Sequence, residues 1–168
     1  MFNSFISVRR FIGNHLVDMF PSSWFRARNM VLKFMSIRIG NKSKVNIGFR
    51  VYGPGSVVIG DETWIGPNCH IYTTDGYGVE IGSKCDIAPE VVFISGTHEI
   101  GTDERRAGTG KAHSILIGDG TWICTRSTIC SESIGKGNII ASGAVVLQNT
   151  DKSVLVAGVP AQVKKGYK

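Results

Sequence analysis

An aliphatic residue returns every six positions through the middle of this chain, most often with glycine or alanine directly after it. Ile59, Ile65 and Ile71 form one triplet, and Ile81, Ile87 and Phe93 the next. Ile117, Ile123 and Ile129 form a third, and Ile134, Ile140 and Val146 a fourth. A six-residue period fits neither the helix nor simple strand alternation, and a fixed longer period marks a solenoid. Three hexads make one coil with three flat sides. Each aliphatic side chain then points inward onto its equivalent in the next coil, roughly 4.7–4.9 Å away, and the small residue lets the backbone turn. A single coil cannot bury its own aliphatic face, so at least about three must stack. The density of glycine and β-branched residues excludes an amphipathic helix over the same stretch. The expected fold is an all-β solenoid.

The interruptions say where function lies. From Ile71 to Ile81 the step lengthens, so Thr74-Asp75-Gly76-Tyr77 forms a small corner loop. From Phe93 to Ile117 a long excursion, residues 96–114, leaves the prism. Insertions in solenoids map to loops, often on the binding face, so these two breaks mark the candidate binding side. The short step from Ile129 to Ile134 is a slip that a corner absorbs.

Residues 1–40 read differently from the solenoid, placed at 41–163, and from a basic tail at 164–168. Phe2, Phe5, Ile6, Phe11 and Ile12 precede a Pro21-Ser22-Ser23 break, and a second helix follows over 24–35. There Met30, Val31, Phe34 and Met35 are expected to form the apolar stripe, with Arg26, Arg28 and Lys33 on the surface. The expectation is a helical cap over the open end of the prism; the alternative is a basic amphipathic surface touching membrane. Arg9, Arg10, Asp18, Arg26 and Arg28 break every apolar run that might otherwise span a bilayer. The first residues lack the apolar core and cleavage site of a signal peptide. Cys69, Cys85, Cys124 and Cys130 show no metal-binding or redox spacing and read as small core fillers in a reduced, cytoplasmic protein. The net charge of +6 is concentrated in residues 9–44 and at Lys164, Lys165 and Lys168. It favours a phosphorylated small molecule or an anionic membrane surface over nucleic acid, for which no motif is present.

Within the excursion stand Ser95-Gly96-Thr97-His98-Glu99, Asp103-Glu104-Arg105-Arg106 and Gly108-Thr109-Gly110-Lys111. Imidazole suits a general base near neutral pH, and His98 sits where the chain leaves a rigid face. Gly110-Lys111 is not a phosphate-binding loop: the preceding glycine and following hydroxyl residue are missing.

Over residues 40–165 the chain resembles the hexapeptide-repeat acyltransferases, left-handed parallel β-helix enzymes that use acetyl-CoA. The resemblance rests on Gly96-Thr97-His98, Glu104-Arg105-Arg106, the run from Ile117 to Ile123 and the ending Val156-Ala157-Gly158-Val159-Pro160-Ala161. It points most to the branch of galactoside, maltose and polysaccharide O-acetyltransferases. It implies His98 as general base and the Thr125 backbone N–H as oxyanion donor and part of the cofactor site. Trp122 and Ser142 would line the acetyl and pantetheine arm, and Lys164 and Lys165 would meet the CoA phosphates. Asn68 and Arg105 would serve the acceptor. Each has a plainer alternative: Trp122 as packing, Asn68 as a turn residue, Arg105 as a loop tether, the lysines as a solvated tail. The resemblance further implies a homotrimer with sites between subunits, a sugar or polysaccharide acceptor and no metal. An amino-sugar nucleotide, serine or an antibiotic are the competing acceptors. A zinc enzyme of the carbonic-anhydrase type, with His70, His98 and His113 converging between subunits, is the competing chemistry. Cys124 and Gln162 depart from the family pattern.

Overall fold

The computed structural model describes residues 4–167, so Phe2 and Lys168 lie outside the described residues. The chain forms a parallel β-solenoid of about six turns behind two helices. Its first face stacks Ile37–Ile39, Val57–Ile59, Val79–Ile81, Ile115–Ile117 and Ser133–Ile134. The second face stacks Lys44–Val45, Trp64–Ile65, Asp86–Ile87, Trp122–Ile123, Ile139–Ile140 and Val154–Gly158, and Ala161–Gly166 closes it antiparallel. The third face stacks Arg50–Tyr52, His70–Tyr72, Val92–Ile94, Thr128–Ile129 and Val145–Val146.

Register follows the hexads. Val45, Ile65, Ile87, Ile123, Ile140 and Val156 align in one buried column. Val51, Ile71, Phe93, Ile129 and Val146 align in another. The solenoid begins at Ile37, ahead of the composition change at 41, because Ile39, Val45 and Val51 already keep the six-residue step. Lys164 and Lys165 belong to the closing strand and are no free tail.

Two of the three corner columns repeat one backbone device. Lys42, Glu62, Lys84, Gly120, Gly137 and Ser153 turn the first face into the second at positive φ. Gly48, Asn68, Glu90, Arg126 and Gly143 do the same between the second and third. For the non-glycine residues this conformation costs about 1–2 kcal/mol each. An N–H···O bond to the coil before offsets the cost, as from Glu62 to Asn41 and from Arg126 to Pro89.

Helix α1 (Ser4–Leu16) and helix α2 (Phe25–Phe34) lie over the first coil. The expected stripe on α2 needs correction. Met30 and Phe34 point outward, whereas Arg28, Leu32 and Met35 are fully buried. The first coil has no coil above it, so its carbonyls need donors. The Arg28 guanidinium supplies them to Val45 at 3.0 Å and, where the helices join, to Val17, Phe20, Pro21 and Ser22. Arg10, also buried, donates to the carbonyls of Gly53 and Gly55, and burial pulls its pKa down to about 10. Asn14 exchanges two hydrogen bonds with the Val51 backbone, imitating a neighbouring strand. Asp18 pairs with Arg50, which holds its carboxyl below the usual carboxylate range.

Candidate active site

Both breaks in the repeat leave the solenoid at one edge, between the third face and the first. The long one is an antiparallel hairpin of Gly96–Ile100 and Ala107–Ala112. Its foot is closed by the His113 N–H to the Ser95 carbonyl at 2.9 Å. The short loop abuts it, with the Ser95 and Thr74 hydroxyls 3.3 Å apart. At the far end Gly101 is required by space: a Cβ there would stand 2.3 Å from the Arg105 carbonyl oxygen. Arg106 reaches the Gly101 carbonyl at 3.5 Å, while the Arg105 side chain bonds to nothing among the described residues.

His98 lies opposite Gly110 in the hairpin, just before a bulge that re-aims the strand. Its Nδ1 is 3.0 Å from the Gly108 carbonyl oxygen. A carbonyl only accepts, so Nδ1 carries a proton, and in the neutral imidazole the lone pair is on Nε2. The sequence offered no orienting carboxylate at a diagnostic spacing; the partner is a backbone group, invisible to any reading of side-chain motifs. The adjacent Glu99 turns to Lys111, 2.9 Å away.

The other residues gather elsewhere. Trp122 stands half-exposed on the second face, in an outward column that continues through Ile139 and Leu155 to Lys165. Lys164 falls in the bulge of the closing strand pair, beside Lys165. Thr125 and Ser142 occupy the same slot of successive corners between the second and third faces. The Thr125 carbonyl accepts from Gly143, and its hydroxyl donates to the Pro89 carbonyl at 2.8 Å. The backbone N–H groups of Thr125 and Ser142 meet no acceptor among the described residues. In the two coils before Thr125 the same slot is filled by Pro67 and Pro89, which have no N–H, so the fold does not need that donor. Thr125 and Ser142 therefore present free N–H groups at the corner that ends the face carrying Trp122.

Asn68 is the positive-φ residue of this same corner column, at φ 57°. Its position belongs to the corner and not to the hairpin. The structure thus joins Trp122, Thr125, Ser142, Lys164 and Lys165 along one wall, and His98 with Arg105 on a different edge of the same chain.

Three further features were not legible in sequence. Glu90 and Arg126 pair at 2.7 Å on the corner beside Thr125, and the guanidinium holds the Glu90 carboxyl below its usual range. A cleft of about 600 Å³ opens at the hairpin's foot between Thr97, His113, Ser131, Glu132 and Asn149. Within it Ser131 Oγ and His113 Nε2 are buried without a hydrogen-bond partner among the described residues. These residues are separated by long stretches of chain, and only the coil stacking brings them together. His70 lies apart on the third face, edge-on to Tyr52 and Tyr72. Among the described residues no three His, Cys, Asp or Glu side chains are placed to hold one metal ion.

No protein-family model matches the chain. YJL218W of Saccharomyces cerevisiae, a protein classed among the acetyltransferases, is 36% identical over 113 residues, covering 67% of this chain and 56% of its own length. The galactoside O-acetyltransferase of Escherichia coli is 31% identical over 97 residues, covering 57% of this chain and 48% of its own. The chain thus spans about half the length of these two relatives. The hexapeptide-repeat acetyltransferase VCA0836 of Vibrio cholerae, solved with acetyl coenzyme A, superposes with a TM-score of 0.76 at 24% identity, over 98% of this chain and 88% of that one. The sequence relatives carry the lineage and the superposition carries the left-handed β-helix, and on both counts the chain belongs to the hexapeptide-repeat acetyltransferase family.

Proposed function

We propose that the chain transfers the acetyl group of acetyl-CoA to a hydroxyl of a sugar, in the building of a bacterial surface polysaccharide, within the reducing cytoplasm. The observation that carries the reading is the His98 imidazole, held through Nδ1 by the Gly108 carbonyl with Nε2 free. Nε2 takes the acceptor hydroxyl proton as that oxygen attacks the thioester carbon. The Thr125 N–H receives the carbonyl oxygen as it becomes an oxyanion, a contribution worth about 10²–10³ in rate. When the tetrahedral intermediate collapses, the C–S bond breaks and the His98 proton passes to the departing CoA sulfur. Trp122 and Ser142 flank the pantetheine arm, and Lys164 and Lys165 meet the phosphates. The cleft with its unpartnered Ser131 and His113 atoms suits a hydroxyl-rich acceptor, aided by Arg105 and Asn68. Galactoside O-acetyltransferase among the relatives supports the sugar class.

The division of the site between two edges supports a homotrimer in which one chain supplies the hairpin and its neighbour the wall. Every residue of Gly96–Ile100 is exposed in the single chain, as expected of a segment covered by a second copy. Thiol release from acetyl-CoA across a panel of sugar acceptors tests the reaction. His98→Ala should keep CoA binding while transfer falls at least about 100-fold. Mixing His98→Ala with Trp122→Ala protein after subunit exchange should restore part of the rate, because one of the mixed sites then has both residues. An unchanged rate in His98→Ala removes the assigned base.

A further inference from the structure

Helix α1 is amphipathic the wrong way round for a cap. Arg10, Gly13 and Asn14, with Val17 just past the helix end, face the solenoid and are buried, while Phe5, Val8, Phe11 and Ile12 face outward and are exposed. The polar side chains are needed inside, where they satisfy the backbone of an end coil that has no neighbour. Nothing in the chain requires the apolar ones outside: the terminal cap of a solenoid ordinarily presents a polar outer face. Phe5 and Phe11 are 69% and 67% exposed. The face continues onto α2, because the Arg9 guanidinium lies over both the Phe5 and Phe34 rings, at 5.5 and 5.0 Å. Met30, one turn before Phe34, and Trp24 extend it. Beside Trp24, Phe25 and Met30 a cleft of about 680 Å³ is rimmed by Arg26, Lys42 and Lys44.

Charge identifies the occupant. Residues 1–44 contain eight cations and one anion, a formal +7 that exceeds the +6 of the whole chain. Arg10 and Arg28 are buried, and the one anion, Asp18, is paired with Arg50. Arg9, Arg26, Lys33, Lys42 and Lys44 are left around the apolar face. A second copy docked here would set these cations against their equals. A bilayer surface with anionic headgroups matches both features: aromatic and aliphatic groups enter the headgroup boundary while the basic side chains meet phosphates. Among the described residues no helix is long and apolar enough to cross a membrane, so the contact is one of surface attachment. We infer that the outward face of α1 and α2 is a docking surface for an anionic lipid bilayer. This inference does not rest on the transferase reading.

Flotation of the full chain with phosphatidylcholine vesicles, alone or with about 30% phosphatidylglycerol, tests it. Binding is expected only to the anionic vesicles, weakening at least about tenfold on raising salt from 0.05 to about 0.5 M. Phe5→Ser/Phe11→Ser, and separately Arg26→Glu/Lys33→Glu, should each weaken it about tenfold or more without moving the melting temperature. Absence of binding to anionic vesicles at low salt overturns the inference, as does binding indifferent to both variants. A drop in molecular mass by light scattering in the Phe5→Ser/Phe11→Ser variant would assign the face to a second copy and overturn it equally.

Discussion

Replacing Arg28 with methionine tests how the solenoid is closed at its open end. The guanidinium is inaccessible to solvent and donates to five carbonyls. The bonds to Val17 and Val45 are buried, at 3.2 and 3.0 Å. Those to Phe20, Pro21 and Ser22 lie nearer the surface, where water can replace the lost donor. Methionine fills a similar volume and donates nothing. Each buried carbonyl left unpaired costs about 1–3 kcal/mol. Two of them therefore cost about 2–6 kcal/mol, the range in which loss of one partner from a buried charged network falls. Methionine needs no desolvation, which returns part of this, so the net loss should be about 3 kcal/mol. That is a large share of the 5–15 kcal/mol typical of a domain.

Urea unfolding followed by circular dichroism gives the loss as a lower midpoint at constant slope. Arg28→Lys keeps the charge but reaches fewer carbonyls and should fall between the two. Hydrogen exchange should locate the weakness in α2 and the adjoining Lys44–Val45 strand before the later coils. A loss under about 1 kcal/mol in Arg28→Met would refute the reasoning. It would mean that water or a shifted helix satisfies the end coil as well as the guanidinium does.

Gly101→Ala should lower acetyl transfer severalfold while changing stability by less than about 0.5 kcal/mol, since the strained contact lies at the tip of an exposed hairpin; parallel rate and melting measurements check both. Asn68→Gly keeps the positive-φ corner and removes the amide, so the acceptor KM should rise with the melting temperature unchanged; an unmoved KM confines Asn68 to the turn. The Asp18 carboxyl has its pKa lowered in the folded state, so its stabilising effect is full above the unfolded value and is lost as pH falls through the folded one. The melting-temperature gap between the parent chain and Asp18→Asn should therefore be present at neutral pH and close below about pH 4. Burial raises the Cys69 thiol to about 11 and the Cys85 thiol in the same direction. In a thiol-reagent titration at neutral pH both should react only on unfolding.

The inward half of the fold was legible because it repeats. Ile65, Ile87 and Ile123 fill one environment, and one environment selects one residue type. The start of the first coil, at Ile37, is less legible because Val45 and Val51 replace isoleucine and Asn46 replaces glycine, although the step of six is intact. The fate of Arg28 was not legible at all. Burial of a guanidinium depends on which carbonyls an end coil leaves open, and helical periodicity contains no term for that. Likewise His98 was found through its motif, whereas the Gly108 carbonyl that sets its tautomer has no side-chain signature. Resemblance assigns His98, Trp122 and Thr125 to one site between subunits, and coil geometry puts His98 on a different edge of the chain from Trp122 and Thr125.

That separation follows from how the corners are built. At two of the three edges each corner residue is tied to the coil before it, as Lys84 N–H is to the Asp61 carbonyl and Glu90 N–H to that of Pro67. An insertion there would cut a ladder running the length of the prism and strand the positive-φ residues that depend on it. The edge between the third face and the first has coil-to-coil bonds only where the strands end, as from Thr73 to Tyr52 and from Ser95 to Tyr72, and no column of positive-φ residues tied to the coil before among the described residues. Extra residues therefore enter at little cost, and both the Thr74-Asp75-Gly76-Tyr77 loop and the His98 hairpin arise from it. A ligand wall needs the opposite property. The free N–H groups of Thr125 and Ser142 keep a fixed spacing because the corner ladder holds them, as the proposed seat for a thioester oxygen requires. With the base proposed on the hairpin and the thioester site proposed on the wall, the two stand on different edges of one chain, which is a physical reason for pairing the hairpin of one copy with the wall of another.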